Sequence, residues 1–110
     1  MTTQANFTVR LTVRTGSQAG QVISFRRLPF VIGSEQGCHL RVTSAAISPR
    51  HCVLQTGPGG IAIKDLGSTS GTWIDGVRIE SSTSIGDGDE LRIGALTLAI
   101  RVEASATAKG

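Results

Sequence analysis

Tyrosine is absent from these 110 residues, and the aromatic complement is one tryptophan and three phenylalanines. Lysine occurs only at positions 64 and 109. Few rings and no lysine run leave little to stack on bases or track a phosphate backbone, so no nucleic acid is expected as a partner. The two cysteines, Cys38 and Cys52, are too few for a disulfide framework, and with His39 and His51 they lack the spacing of a metal site. They read as two buried thiols at strand positions, in a reducing compartment. No apolar run approaches the ~20 residues of a bilayer span, which excludes helical membrane insertion. The opening MTTQANFTVR has no charged segment ahead of an apolar stretch, so no secretory signal is expected. The expectation is a cytoplasmic protein of one domain, without cofactor or metal.

Helical periodicity of useful length is also missing, and what replaces it is alternation. In FTVRLTVR, Phe7, Val9, Leu11 and Val13 interleave with Thr8, Arg10, Thr12 and Arg14, a period of two that buries one strand face. After a turn at 16–20, further short strands are expected around 22–25, 30–32, 40–42, 53–54 and 61–63. Trp73-Ile74 and Val77–Ile79 flank Asp75-Gly76, a strong tight-turn signal. Leu91 and Ile93, then Leu96 to Val102, close the alternation. Fourteen glycines punctuate these segments. Many short strands with frequent turns predict an all-β sandwich or barrel. The reading divides the chain into an extension at 1–6, a domain at 7–103 and a flexible tail at 104–110.

Charge is uneven. Residues 1–60 hold six arginines and one acid, Glu35, whereas residues 61–110 hold five basic and seven acidic side chains. A basic first half favours an anionic partner.

Loops carry function in such folds, and three stand out: GSEQGCH at 33–39, SAAISPRH at 44–51 and DLGSTSGT at 65–72. Ser48 near His51, with Asp65 as orienting acid, resembles a nucleophile and its base. Against this, Ser48 precedes Pro49, which supplies no N–H to an oxyanion hole, and no G-x-S-x-G elbow occurs. The alternative is a phosphate cradle. A phosphomonoester carries about −1.5 to −2 charge and three strong acceptors. Ser48 and Thr69 offer hydroxyl donors, Arg50 a directional positive charge, and Gly71 a slim backbone for close approach. Serines in turns also commonly satisfy their own backbone.

In order, Ile32-Gly33, Ile47-Ser48-Pro49-Arg50-His51-Cys52, the stretch Ile63 to Gly76, Ile85 to Leu91 and Ile93-Gly94 resemble the forkhead-associated (FHA) domain over residues 22–102. The resemblance implies a two-sheet β-sandwich of about eleven strands, with recognition loops at one end and termini at the other. It implies a non-enzymatic module binding a phosphothreonine-containing protein or peptide, such as the substrate of a Ser/Thr kinase or a partner in a parent chain. Carried over, Ser48, Arg50 and Thr69 would hold the phosphate. Ser70 stands where asparagine usually holds the peptide backbone, and Ser34 where an arginine usually contacts phosphate and peptide. Ala46 lies where the residue three after the phosphothreonine is often read. Gly33, His51, Gly71 and Thr72 would shape the loops.

The missing arginine matters. A charge-assisted hydrogen bond is worth ~1.5–3 kcal/mol, so binding would weaken roughly ten- to a hundredfold. Arg50 remains, with Arg41 as a further candidate. Three readings follow: a weakened phosphothreonine reader, a sandwich that binds partners without phosphate, and a Ser48–His51 hydrolase.

Overall fold

A computed structural model describes residues 7–57 and 60–104. The chain runs through β1 (Phe7–Val13), β2 (Val22–Phe25), β3 (Phe30–Gly33), β4 (Leu40–Arg41), β5 (Cys52–Gly57) and β6 (Gly60–Asp65). It continues through β7 (Thr72–Ile74), β8 (Val77–Arg78), β9 (Thr83–Ile85), β10 (Glu90–Ile93) and β11 (Leu96–Ala104). The extension expected at 1–6 and the tail from 105 onward lie outside the described residues. Ala104, assigned to that tail, is the last residue of β11.

The strands form two sheets. One has the order β2-β1-β11-β10-β7-β8, the other β4-β3-β5-β6-β9. Alternation dictates what each contributes. In β1, Val9, Leu11 and Val13 are buried while Arg10 is exposed. Leu91, Leu98 and Ile100 join them from the first sheet, and Ile32, Leu54 and Ile63 meet them from the second, all fully buried in one core. Each such side chain contributes about 1.5–3 kcal/mol relative to exposure. The two sheets therefore close face to face as the sandwich that the alternation predicts.

Two features place the site. The β1–β11 ladder pairs Phe7 with Ala104 at one end and Val13 with Leu98 at the other. The described chain thus starts and stops at the end away from the β10–β11 turn. At the near end, Thr72 at the start of β7 pairs with Ile93, so the 66–71 segment enters β7 beside the β10–β11 turn, while the Asp75-Gly76 hairpin, both residues at positive φ (51° and 83°) as the sequence signals, lies at the far end beside Glu90. One expectation is corrected. Cys38 is not on a strand but in the turn between β3 and β4, and it is only half-buried. Its Sγ–H donates to the Pro49 carbonyl at 3.2 Å, so the turn supplies the polar partner that an apolar strand position would not.

Candidate functional site

Loops 34–39, 42–51 and 66–71 converge at the end near the β10–β11 turn. The first two are stitched by backbone bonds: Ser34 N–H donates to the Ser48 carbonyl and Glu35 N–H to that of Pro49, both at 3.0 Å. Gly33 is what permits this. A Cβ there would lie 2.1 Å from the Pro49 carbonyl oxygen and 2.9 Å from Cys38 Sγ, so any side chain would push the second loop away.

His51, fully buried, joins the second and third loops. Its Nδ1 accepts the Ser48 N–H at 3.2 Å, which leaves the proton on Nε2 to donate to the Gly71 carbonyl at 2.8 Å. Both ring nitrogens are thus engaged with backbone. Neither faces Ser48 Oγ, which instead accepts the Thr69 N–H at 3.0 Å. The ring is occupied as a strut and offers Ser48 no base.

The third loop is organised by Asp65, a residue whose part the sequence reading did not identify. Its Oδ2 accepts the N–H groups of Gly67 and Ser68, and its Oδ1 the hydroxyls of Ser68 and Thr72. Burial pushes the carboxyl's pKa up, but these donors, Ser68 and Thr72 foremost, outweigh burial and hold it below the usual carboxylate value. The available signal was the Asp-x-x-Ser spacing of a side chain closing its own turn. Ser68 Oγ in turn accepts the Gly71 N–H at 3.0 Å, and Thr72 is fully buried. Gly71 sits at φ +90°, where a Cβ would lie 2.8 Å from Arg78 Nε and 3.2 Å from Trp73 Nε1.

The remaining candidates fall as follows. Ser48 and Ser34 are half-buried, whereas Thr69 and Arg50 are exposed on the rim. Ser48 and Thr69 touch. Arg50 lies two residues on, at the Pro49-Arg50 turn. Ser70 Oγ donates to the Ala46 carbonyl at 2.7 Å, so its one O–H is committed and only acceptor capacity faces outward. Ala46 rests on Gly94, whose missing side chain leaves room: a Cβ there would meet Ala46 Cβ at 3.0 Å. Arg41, at the end of β4 and exposed, donates from Nε to the Ser34 carbonyl at 3.1 Å, next to the position lacking arginine. The ion pairs found among the described residues, Arg10–Glu103 and Arg101–Asp87, involve neither Arg41 nor Arg50.

A cavity of about 480 Å³ is lined by Val13, Gln21, Leu40, Thr43 and Leu96 among others. It shares Arg41 with the rim but not Ser48, Arg50 or Thr69. At the rim, exposed Arg50 and Thr69 beside half-buried Ser48 suit a charged group better than an apolar ligand.

Residues 30–94 match the family described as FHA domain. The chain is 30% identical over 92 residues to the FHA domain-containing protein FhaB of Mycolicibacterium smegmatis, covering 84% of this chain and 59% of that protein. It is 30% identical over 91 residues to FhaB of Mycobacterium tuberculosis, covering 83% and 59%. It therefore spans about three-fifths of the length of these curated relatives. Among solved structures, it matches an FHA domain described for phosphothreonine-dependent interactions with a TM-score of 0.75 and 26% identity, covering 86% of this chain and 95% of that one. It matches the FHA domain of FhaA, complexed with the intracellular domain of another protein, with a TM-score of 0.74 and 27% identity, covering 84% and 99%.

Proposed function

The chain belongs to the FHA domain family, and from that membership we propose that residues 7–103 form an interaction module that reads phosphothreonine and catalyses no reaction. One observation carries the reading: the Thr69 N–H···Oγ Ser48 contact at 3.0 Å, which fuses two loops into one polar rim beside Arg50. Because Ser48 Oγ accepts from Thr69, its own O–H is left to donate to a phosphate oxygen. Thr69 Oγ1 is a second donor, and Arg50 balances the charge of the dianion. His51 fixes Ser48 and Gly71 from beneath. Its part is to hold the donors in place before the ligand arrives, which reduces the ordering cost of binding.

Ser34 lacks the guanidinium usual in the family, and Arg41 is held against its carbonyl by Nε alone. The Nη groups of Arg41 are the replacement, reaching the phosphate or the adjoining peptide. Ser70, an acceptor only, takes a peptide N–H in place of the usual asparagine, and Ala46 faces the residue three after the phosphothreonine. The ligand on this reading is the product of a Ser/Thr kinase, met in the cytoplasm.

A second reading, partner binding without phosphate, is favoured by Ser34 and by the internal commitment of Ser70 Oγ. The deciding experiment is an NMR titration with a phosphothreonine peptide and its unphosphorylated twin. Phosphate reading requires shifts at the Ser48, Arg50 and Thr69 amides with the first peptide only, lost in Arg50→Ala. Equal affinity for both peptides removes it and leaves the second reading.

A further inference from the structure

The outer face of the first sheet ends, just below the loops, in a row of side chains that the phosphate site does not use. Cross-strand register defines it. Trp73 pairs with Arg78 on one side and Arg92 on the other, and Arg92 pairs with Thr97. Arg14, one residue beyond the Val13–Leu98 pair, donates its N–H to the Thr97 carbonyl at 2.8 Å and so ends the row. Arg14, Arg92 and Arg78 are exposed. Arg92 lies over the Trp73 ring, its Cζ 4.5 Å from the centroid, which fixes one cation in place.

The row is short of acids. On the strands of this sheet the acids are Glu103, held by Arg10, and Glu90, two positions along β10 from Arg92. The other ion pair of the described residues, Arg101–Asp87, is likewise elsewhere. Off the strands, exposed Glu80 lies two residues beyond Arg78, so three cations share one partly exposed ring and two carboxylates, Glu80 and Glu90. At ~4.8 Å between strands, Arg14 to Arg78 spans roughly 19 Å, the reach of about six extended residues. The row is continuous with the phosphate rim, because Trp73 Nε1 donates to the Ser70 carbonyl at 3.3 Å and Arg78 lies against Gly71.

We infer that this row, Arg14–Arg92–Trp73–Arg78, binds an acidic segment, rich in aspartate or glutamate, of the same chain that carries the phosphothreonine. The inference rests on the phosphothreonine reading and adds to it a second, sequence-selective contact. Charge complementarity and the junction at Gly71 both point to a peptide leaving the rim. A nucleic acid fits less well: the row has a single ring, already covered on one face by Arg92, and so offers no stacking platform.

The test uses four peptides: phosphothreonine with neutral flanks, phosphothreonine with a six-residue acidic flank, the acidic peptide unphosphorylated, and phosphothreonine with a basic flank. Each is titrated calorimetrically into the chain and into R14Q/R92Q, whose melting temperature is checked first. Neither arginine belongs to the phosphate rim, and Arg78 is left alone because it packs on Gly71. Exposed pairs are individually weak, so the acidic flank is expected to tighten binding about five- to tenfold over the neutral one. That gain should shrink on raising salt and vanish in R14Q/R92Q, with the neutral phosphopeptide unchanged. An acidic flank that adds nothing, or a gain that survives in R14Q/R92Q, overturns the inference while leaving phosphothreonine reading intact. Failure of every phosphopeptide to bind overturns both. A single-stranded oligonucleotide that binds the row more tightly than the acidic phosphopeptide also overturns it.

Discussion

Ser48 and Thr69 are twenty-one residues apart in the chain, and the amide of one donates to the hydroxyl of the other at 3.0 Å. That bond gives each loop a fixed register against the other, and it uses the serine hydroxyl only as an acceptor. Ser48→Ala removes both the acceptor for Thr69 and a phosphate donor. Affinity for a phosphothreonine peptide is expected to fall at least tenfold, against a loss of about 1 kcal/mol in stability. Arg50→Ala, at an exposed turn, should cut affinity ten- to a hundredfold with no change in melting temperature. Calorimetry at two salt concentrations separates them, because only the arginine variant also flattens the salt dependence.

Arg41 and Ser34 make a paired prediction. If the Arg41 guanidinium substitutes for the arginine missing at position 34, Arg41→Ala lowers phosphopeptide affinity about tenfold. Ser34→Arg in the Arg41→Ala background then recovers it. An Arg41→Ala protein that binds as tightly as the parent would show that the charge is supplied by Arg50 alone.

His51 carries structural weight out of proportion to its size. Removing the ring leaves the Ser48 N–H and the Gly71 carbonyl without partners in a buried site, along with a cavity. His51→Ala is expected to destabilise the domain by about 2–4 kcal/mol, read from urea denaturation. Amide exchange at Ser48 and Thr69 should quicken even under conditions where the sandwich stays folded, because the strut serves the loops rather than the core.

The sandwich was legible because burial follows residue type along every long strand. FTVRLTV could bury only one face, and it does. What escaped was whatever depends on partners rather than on pattern. Thr83–Ile85 was not read as a strand, since three residues with only Ile85 buried carry no period. The parallel pairing of β3 with β4 has no mark in either segment. At the site, the ISPRHC spacing placed Ser48 near His51 correctly in distance, yet the histidine meets the serine's amide rather than its hydroxyl. Which of the two it meets depends on the turn at Pro49-Arg50, and side-chain chemistry does not encode that. The Arg78–Gly71 contact, seven residues apart but folded back through a hairpin, was likewise invisible.

Acid should test the third loop. The Asp65 pKa is depressed in the folded state, so the carboxylate contributes stability that is fully present above the ordinary aspartate value of 3.8 and is lost as pH falls through the lower folded value. Asp65→Asn removes the titrating group and should flatten that part of the stability–pH curve. Asp87 is lowered too, by the Val102 N–H and by Arg101, but it is exposed and far from the loop. Asp87→Asn should therefore leave phosphopeptide binding unchanged where Asp65→Asn weakens it. Denaturant midpoints between pH 2 and 7, with matched titrations at neutral pH, distinguish the two.

The two thiols should behave as opposites. Burial, reinforced by the nearby Asp65 charge, pushes the Cys52 thiol up to about 12, so at pH 8 almost no thiolate forms there and none is reachable. Cys38 is half-buried in the turn against Pro49. Iodoacetamide is expected to add one group to the native protein, at Cys38 by mass spectrometry, and two after unfolding. The adduct has a consequence for binding. Cys38 Sγ, Gly33 and the Pro49 carbonyl are packed together, and Pro49 immediately follows Ser48. A bulky group on Cys38 must displace Pro49, which moves the Ser48 hydroxyl off its Thr69 partner. Alkylated protein should then lose phosphopeptide affinity, and Cys38→Ser protein, treated the same way, should keep it. Equal affinity in the alkylated and untreated chains would show that the 33–39 loop does not position the phosphate rim.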